Sequence, residues 1–144
     1  MDSKNYSKAA IDWIDLLIPE GFNRAADLIS DKCNYKYMGQ ILVGKEVINP
    51  FIENHEKALQ QLDAIEYQRA IVKEITSDGV AAAVSDKIYL NGKTHIYHDE
   101  LFVRMEKINS SWLVVYIEHR PIPEERVKLR NFLDSNGPKK QVAP

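Results

Sequence analysis

The chain has 144 residues, 44% of them hydrophobic and 28% charged, with a formal net charge of −2. That length suits one domain with a real core, and there is no basic surplus to hold a nucleic acid: the Lys139-Lys140 pair stands alone in a polar tail. Cys33 is the only cysteine, which excludes an internal disulfide. The opening MDSKNYSK lacks the apolar stretch of a leader, and no apolar run nears the roughly 18 residues of a membrane span, so a cytoplasmic protein with neither a nucleic-acid nor a membrane partner is expected.

From Asn5 to Ile18, the residues Ala10, Trp13, Ile14, Leu17 and Ile18 recur at helical spacing. Pro19 and Gly21 stop that helix. Phe22, Ala25, Ala26 and Ile29 repeat the pattern and predict a second, short helix. Cys33 to Met38 (CNYKYM) alternates and is rich in tyrosine, as a short strand would be. Gly44 opens a third helical stretch that runs to Leu62. Pro50 within it either kinks the helix or starts a new one capped by Asn49.

The period then changes. Ala64 to Thr76 alternates, with Ile65, Tyr67, Ile71 and Ile75 on one side, and Ser77-Asp78-Gly79 is a turn. Val80 to Leu90 is the next strand. Asn91-Gly92 is the strongest hairpin signal in the chain, because a type I′ turn needs positive φ at both central residues. Thr94 to Lys107 and Trp112 to His119 are strands joined by Asn109-Ser110-Ser111. Pro121 and Pro123 end the last one, and Pro123 to Leu133 suits a short helix. The order predicts an α+β domain over residues 1–136, with three N-terminal helices packed on a curved, mostly antiparallel sheet. Residues 137–144 read as a disordered tail.

The stretch HIYHDELFVR, His95 to Arg104, concentrates the ionisable groups. On a strand, His95 and His98 point to opposite faces and cannot share a metal. No other His/Cys cluster exists, so neither a metal nor another cofactor is expected. A two-residue turn at Asn91-Gly92 pairs Leu90 with Lys93. That register sets Asp86 opposite Tyr97 and Val84 opposite Asp99. An inner face then emerges: an apolar floor, with Leu113, Val115 and Ile117 as a row on the last strand, and Asp86, Tyr97, Asp99 and His119 as polar islands. A carboxylate on such a face is costly unless paired or neutral, and a raised pKa suits a general acid or base. This points to Asp99 as acid/base, with His119 as its partner and Tyr37 and Tyr97 orienting. The plainer alternative is a rim carboxylate, hydrogen-bonded and inert. A one-residue slip would turn His98, Glu100, Glu118 and Arg120 inward instead.

The segments AIDWIDLL, FNRAADLISDKCNYKYM, GKEVINPF, HDELFVRMEK and SSWLVVYIEHRPIP occur in an order that resembles the nuclear transport factor 2-like superfamily. These are cone-shaped α+β barrels that include SnoaL-like polyketide cyclases, ketosteroid isomerases and limonene epoxide hydrolases. The resemblance spans about residues 5 to 122 and implies a pocket for a small, largely apolar organic ligand. It matches Asp99 to the isomerases' protonated aspartate and Trp13 to their oxyanion-donating tyrosine. Tyr35 and Tyr37 stand where those enzymes carry a base, and Val84 stands where the hydrolases carry an arginine. Trp13, Tyr35, Met38, Phe51, Asp86 and Tyr97 are the ligand-lining candidates, and Asp99, His119 and Tyr37 the catalytic ones. Superfamily members often dimerise through the sheet's outer face, where Phe102, Trp112, Val114 and Tyr116 are expected here; a homodimer follows. The chain is either an acid–base enzyme of the lyase, isomerase or hydrolase kind, or a non-catalytic ligand-binding or dimerisation module on the same fold.

Overall fold

The computed structural model describes residues 3–140. Helix α1, Ser3–Asp15, buries Ala10, Trp13 and Ile14 on one face, as the spacing predicts. Leu16 and Leu17 tighten its end by bonding back to Trp13 and Ile14, and Pro19 opens a 3-10 turn. Gly21 is needed there, since a Cβ would come within 2.4 Å of the Leu16 carbonyl oxygen. Helix α2, Phe22–Asp27, is shorter than the pattern suggested. Ile29 already belongs to strand β1, Ile29–Tyr37.

Strand β1 turns through Met38 and Gly39, both at positive φ, into β2, Gln40–Val43, a strand the alternation did not disclose. Gly44 begins a 3-10 turn, and helix α3 spans Asn49–Gln61. Pro50 therefore starts a helix, in the first turn where its missing N–H is harmless. Asn49 is the first helical residue and Ile48 takes the cap position. The alternating run beyond it divides in two, β3 (Ala64–Tyr67) and β4 (Ile71–Ile75), both pairing with β5, Val80–Leu90.

Strands β5 and β6 (Lys93–Ile108) form the hairpin in the expected register, Leu90 with Lys93, Asp86 with Tyr97 and Val84 with Asp99. Asn91 and Gly92 take φ values of 50° and 82° at the turn. Strand β7, Ser111–Arg120, pairs antiparallel with β6 and parallel with β1. The order β2-β1-β7-β6-β5-β3, with β4 also on β5, makes a seven-stranded mixed sheet. Helix α4, Pro123–Asn136, follows and packs on β6.

A bulge corrects the expected face of β7. Arg104 pairs with Tyr116 but Met105 pairs with Val114, so Val115 is an extra residue and the alternation changes sign there. Ile117 stays inside, while Val114 (fully buried) and Trp112, whose ring packs on Tyr6, turn inward as well. The apolar outer face thus loses two of its four expected members. Phe102 and Tyr116 remain there, beneath the guanidinium groups of Arg120 and Arg104 at 4.6 and 5.5 Å.

The core lies under α1, where Trp13, Val80, Ala82, Val103, Met105, Val114 and Ile117 pack together. Truncating one such large buried side chain costs about 3–5 kcal/mol. Gly137 to Lys140, expected to be disordered, run back over the β5–β6 turn. There Asn91 donates to the Asn136 and Pro138 carbonyls and accepts from Lys140 N. Residues 141–144 of the expected tail lie outside the described residues. Among the described residues, no helix is long and apolar enough to cross a membrane.

Candidate functional site

Beyond the packed half of the sheet the helices leave a cavity of about 750 Å³. Its walls are apolar: Ile14, Leu17 and Ile18 from the end of α1, Phe22, Phe51 and Leu62, and Leu129 and Leu133 from α4. Tyr35 and Tyr37 of β1 and Tyr67 of β3 line it from opposite ends of the sheet, which only a strongly curved sheet allows. The inner face of β6 is the odd-numbered one, so Tyr97, Asp99 and Leu101 face the cavity with Val84 and Asp86 of β5 and His119 of β7.

The structure brings Asp99 and His119 together. Asp99 Oδ2 meets His119 Nε2 in a short hydrogen-bonded ion-pair contact, and Asp99 Oδ1 accepts from the Glu100 backbone N–H at 2.9 Å. Both side chains are mostly buried, 14% and 13% exposed. The carboxylate fixes the imidazole with its proton on Nε2. His119 Nδ1 is buried with no partner among the described residues, a deficit of about 1–3 kcal/mol of the sort functional sites carry. The Tyr37 ring lies 5.6 Å from that of His119, and Asn54 of α3 donates to the Tyr37 hydroxyl at 2.9 Å.

The Asp86 pKa is pushed up to about 6, first because burial penalises its charge and then because Asp99 stands nearby. Burial and the Tyr37 and Asp99 charges hold the Tyr35 hydroxyl well above its ordinary range. Tyr97 is raised too, by burial and then Asp99, with Arg126 of α4 pulling the other way through its charge and a hydrogen bond. The two phenols keep their protons at neutral pH and serve as donors.

Two expected lining residues are elsewhere. Trp13 is fully buried in the core, its indole N–H donating to the Ala25 carbonyl at 3.0 Å, so it has no donor left for a ligand. Met38 is 66% exposed, because the turn to β2 carries it out of the sheet. The alternative set is on the outer face. Arg120 bridges Glu118 at 3.0 Å and Glu100 at 3.7 Å, and the His98 backbone N–H donates to Glu125. His95 stacks on Phe132 beneath α4.

Sequence reasoning missed a second polar pair. His55 of α3 makes a short hydrogen bond through Nδ1 with the Tyr67 hydroxyl on the cavity wall. Burial, then the nearby Asp86 and Glu20 charges, raises the Tyr67 pKa beyond its ordinary range, so the phenol keeps its proton. The one signal for it was Tyr67 on the apolar side of its alternating run. Among the described residues, no group of three or more His, Cys, Asp or Glu could hold a metal ion.

A helix-lined cavity inside a bent α+β sheet defines a cone-shaped α+β fold. The chain has the nuclear transport factor 2-like fold. Aln2 from a Streptomyces species is similar over 87% of this chain and 91% of that one, at a TM-score of 0.58 and 10% identity. An NTF2-like protein with a cystatin-like fold from Novosphingobium aromaticivorans is similar over 87% and 89%, at 0.57 and 14%. An NTF2-like protein of unknown function from an Exiguobacterium species is similar over 76% and 94%, at 0.51 and 19%. Identities this low speak for the fold alone. No protein-family model matches the chain, and no curated protein matches it in sequence.

Proposed function

We propose that the cavity binds a small, largely apolar organic molecule and that Asp99 and His119 act on it by acid–base chemistry, with Tyr37 as an orienting donor. The observation that carries this reading is the buried Asp99–His119 pair set in an apolar-walled cavity of about 750 Å³. The pair can give a proton to a ligand atom or take one from it, pair and ligand changing charge by one unit in opposite senses. Native mass spectrometry of freshly purified protein would identify a retained molecule. Incubating the protein with that molecule in heavy water should show deuterium uptake or product. Asp99→Asn is expected to lower that rate by about 10²–10⁴, with an unchanged circular dichroism spectrum; an undiminished rate removes Asp99 from the chemistry.

A non-catalytic carrier on the same fold is the second reading. Trp13 supports it, since its N–H is committed to Ala25 and leaves the α1 side of the cavity without an oxyanion donor. Retention of a ligand with no deuterium uptake would select it. Pairing of two copies through the outer sheet face, over Phe102 and Tyr116, belongs to the same proposal. Sedimentation showing a monomer at micromolar concentration would refute that element.

A further inference from the structure

Three carboxyls line the cavity: Asp15, Asp86 and Asp99. Asp15 accepts from the Ala70 N–H at 3.5 Å and faces Arg69 at 3.9 Å. Asp99 is held by His119 and by the Glu100 N–H. Asp86 has no hydrogen bond or ion pair with any described residue.

In register, Asp86 lies between Tyr67 of β3 and Tyr97 of β6, the two strands that flank β5. Either phenol could donate to it, but Tyr67 is bonded to His55, and the Tyr97 hydroxyl, which accepts from Arg126, makes no bond to Asp86. The acceptor oxygens of Asp86 are therefore left to whatever occupies the cavity. A largely buried carboxyl without a donor is unfavourable as an anion, and it either takes up a proton or finds a donor.

We propose that Asp86 holds a hydrogen-bond donor, a hydroxyl or an ammonium group, carried by the otherwise apolar molecule that fills the cavity. This rests on the small-molecule reading above and narrows its ligand class. Asp99 stands two residues from the Asp86 rung, across from Val84, so the two carboxyls are offset by roughly 7 Å along the strands. The ligand accordingly carries its donor about that far from the group that Asp99 and His119 address. A ligand with a carboxylate at the Asp86 end is disfavoured by like charge. The raised pKa of Asp86 agrees with an acceptor that the protein itself leaves without a donor.

Three probes of one shape test this: naphthol, its methyl ether, and naphthylmethylamine as the ammonium, titrated by calorimetry at neutral pH. At least one donor probe is expected to bind about tenfold tighter than the ether, the size of one hydrogen bond to a charged group. Which of the two binds tighter tells a hydroxyl ligand from an ammonium one. Asp86→Leu should erase the donor preference and keep the ether. Asp86→Asn, which preserves shape should leucine disturb the strand, should keep an acceptor for naphthol and lose the ammonium preference. An ether that binds as tightly as both donor probes, or a preference that survives Asp86→Leu, overturns the assignment while leaving the cavity reading intact. Failure of all three probes, the ether included, overturns the cavity reading and this one with it.

Discussion

Asp99 and Asp86 sit on neighbouring strands, on the same face of the sheet and in the same cavity, but only Asp99 has protein partners. Both have similar apolar surroundings, so the difference lies in what faces them. His119 reaches Asp99 diagonally from β7, while neither of the tyrosines on either side of Asp86 bonds to it. A partnered carboxyl is a positioned group that stabilises its surroundings. An unpartnered one is a strain on the protein that a ligand can relieve. Their removal should therefore shift stability in opposite directions.

The largest effect is expected at the partnered site. Asp99→Ala strands a buried imidazole and should cost about 3 kcal/mol in urea denaturation at neutral pH; an unchanged midpoint would mean the pair is not formed in solution. Asp86→Asn should do the reverse, stabilising the protein by up to about 3 kcal/mol at pH 8. The sign follows from proton uptake: the folded state binds the Asp86 proton up to about pH 6, the unfolded chain only to about 3.8. The parent chain's contribution from protonated Asp86 is thus complete below about pH 4 and lost as pH rises through about 6, so parent and variant should converge in acid. A stability gain that is flat with pH would contradict the burial of this carboxyl.

Tyr37→Phe should cost about 1 kcal/mol by removing the Asn54 hydrogen bond, and should leave the Asp99–His119 contact in place, as the unshifted imidazole resonances of His119 would report. The smallest effect belongs to the outer face, where Glu118→Gln disturbs a half-exposed pair with Arg120. Its change in stability should stay within roughly 0.5 kcal/mol and shrink in high salt. A larger effect there would point to a buried partner surface over Tyr116 and Arg120.

The geometry of this comparison was largely legible in the sequence, because Asn91-Gly92 admits one turn type and that turn sets every rung of the β5–β6 ladder. Asp86 opposite Tyr97 and Asp99 on the inner face both follow from it. The proximity of His119 required only that β7 pair beside β6. What the sequence concealed depends on contacts between segments with no shared period. His55 finds Tyr67 only because the run from Ala64 to Thr76 breaks at Gln68–Ala70 and lets β3 curl under α3. Trp13 had the right spacing for a helix face but not the information that Ala25 would take its N–H. Met38 continued an alternating pattern that the positive φ at Met38 and Gly39 ends. Helix α4 has no buried residue of its own, so nothing in its pattern announced it as a cavity wall.

The extra residue at Val115 acts on β7 as a phase shift. His119 and Trp112 are seven positions apart, a separation that would send them to opposite sides of an uninterrupted strand. With Val115 as the extra residue, the imidazole reaches the hollow and the indole reaches the packed end. Excising that one residue would force the strand to choose between its two ends, so its length is tied to the chemistry as tightly as any side chain is.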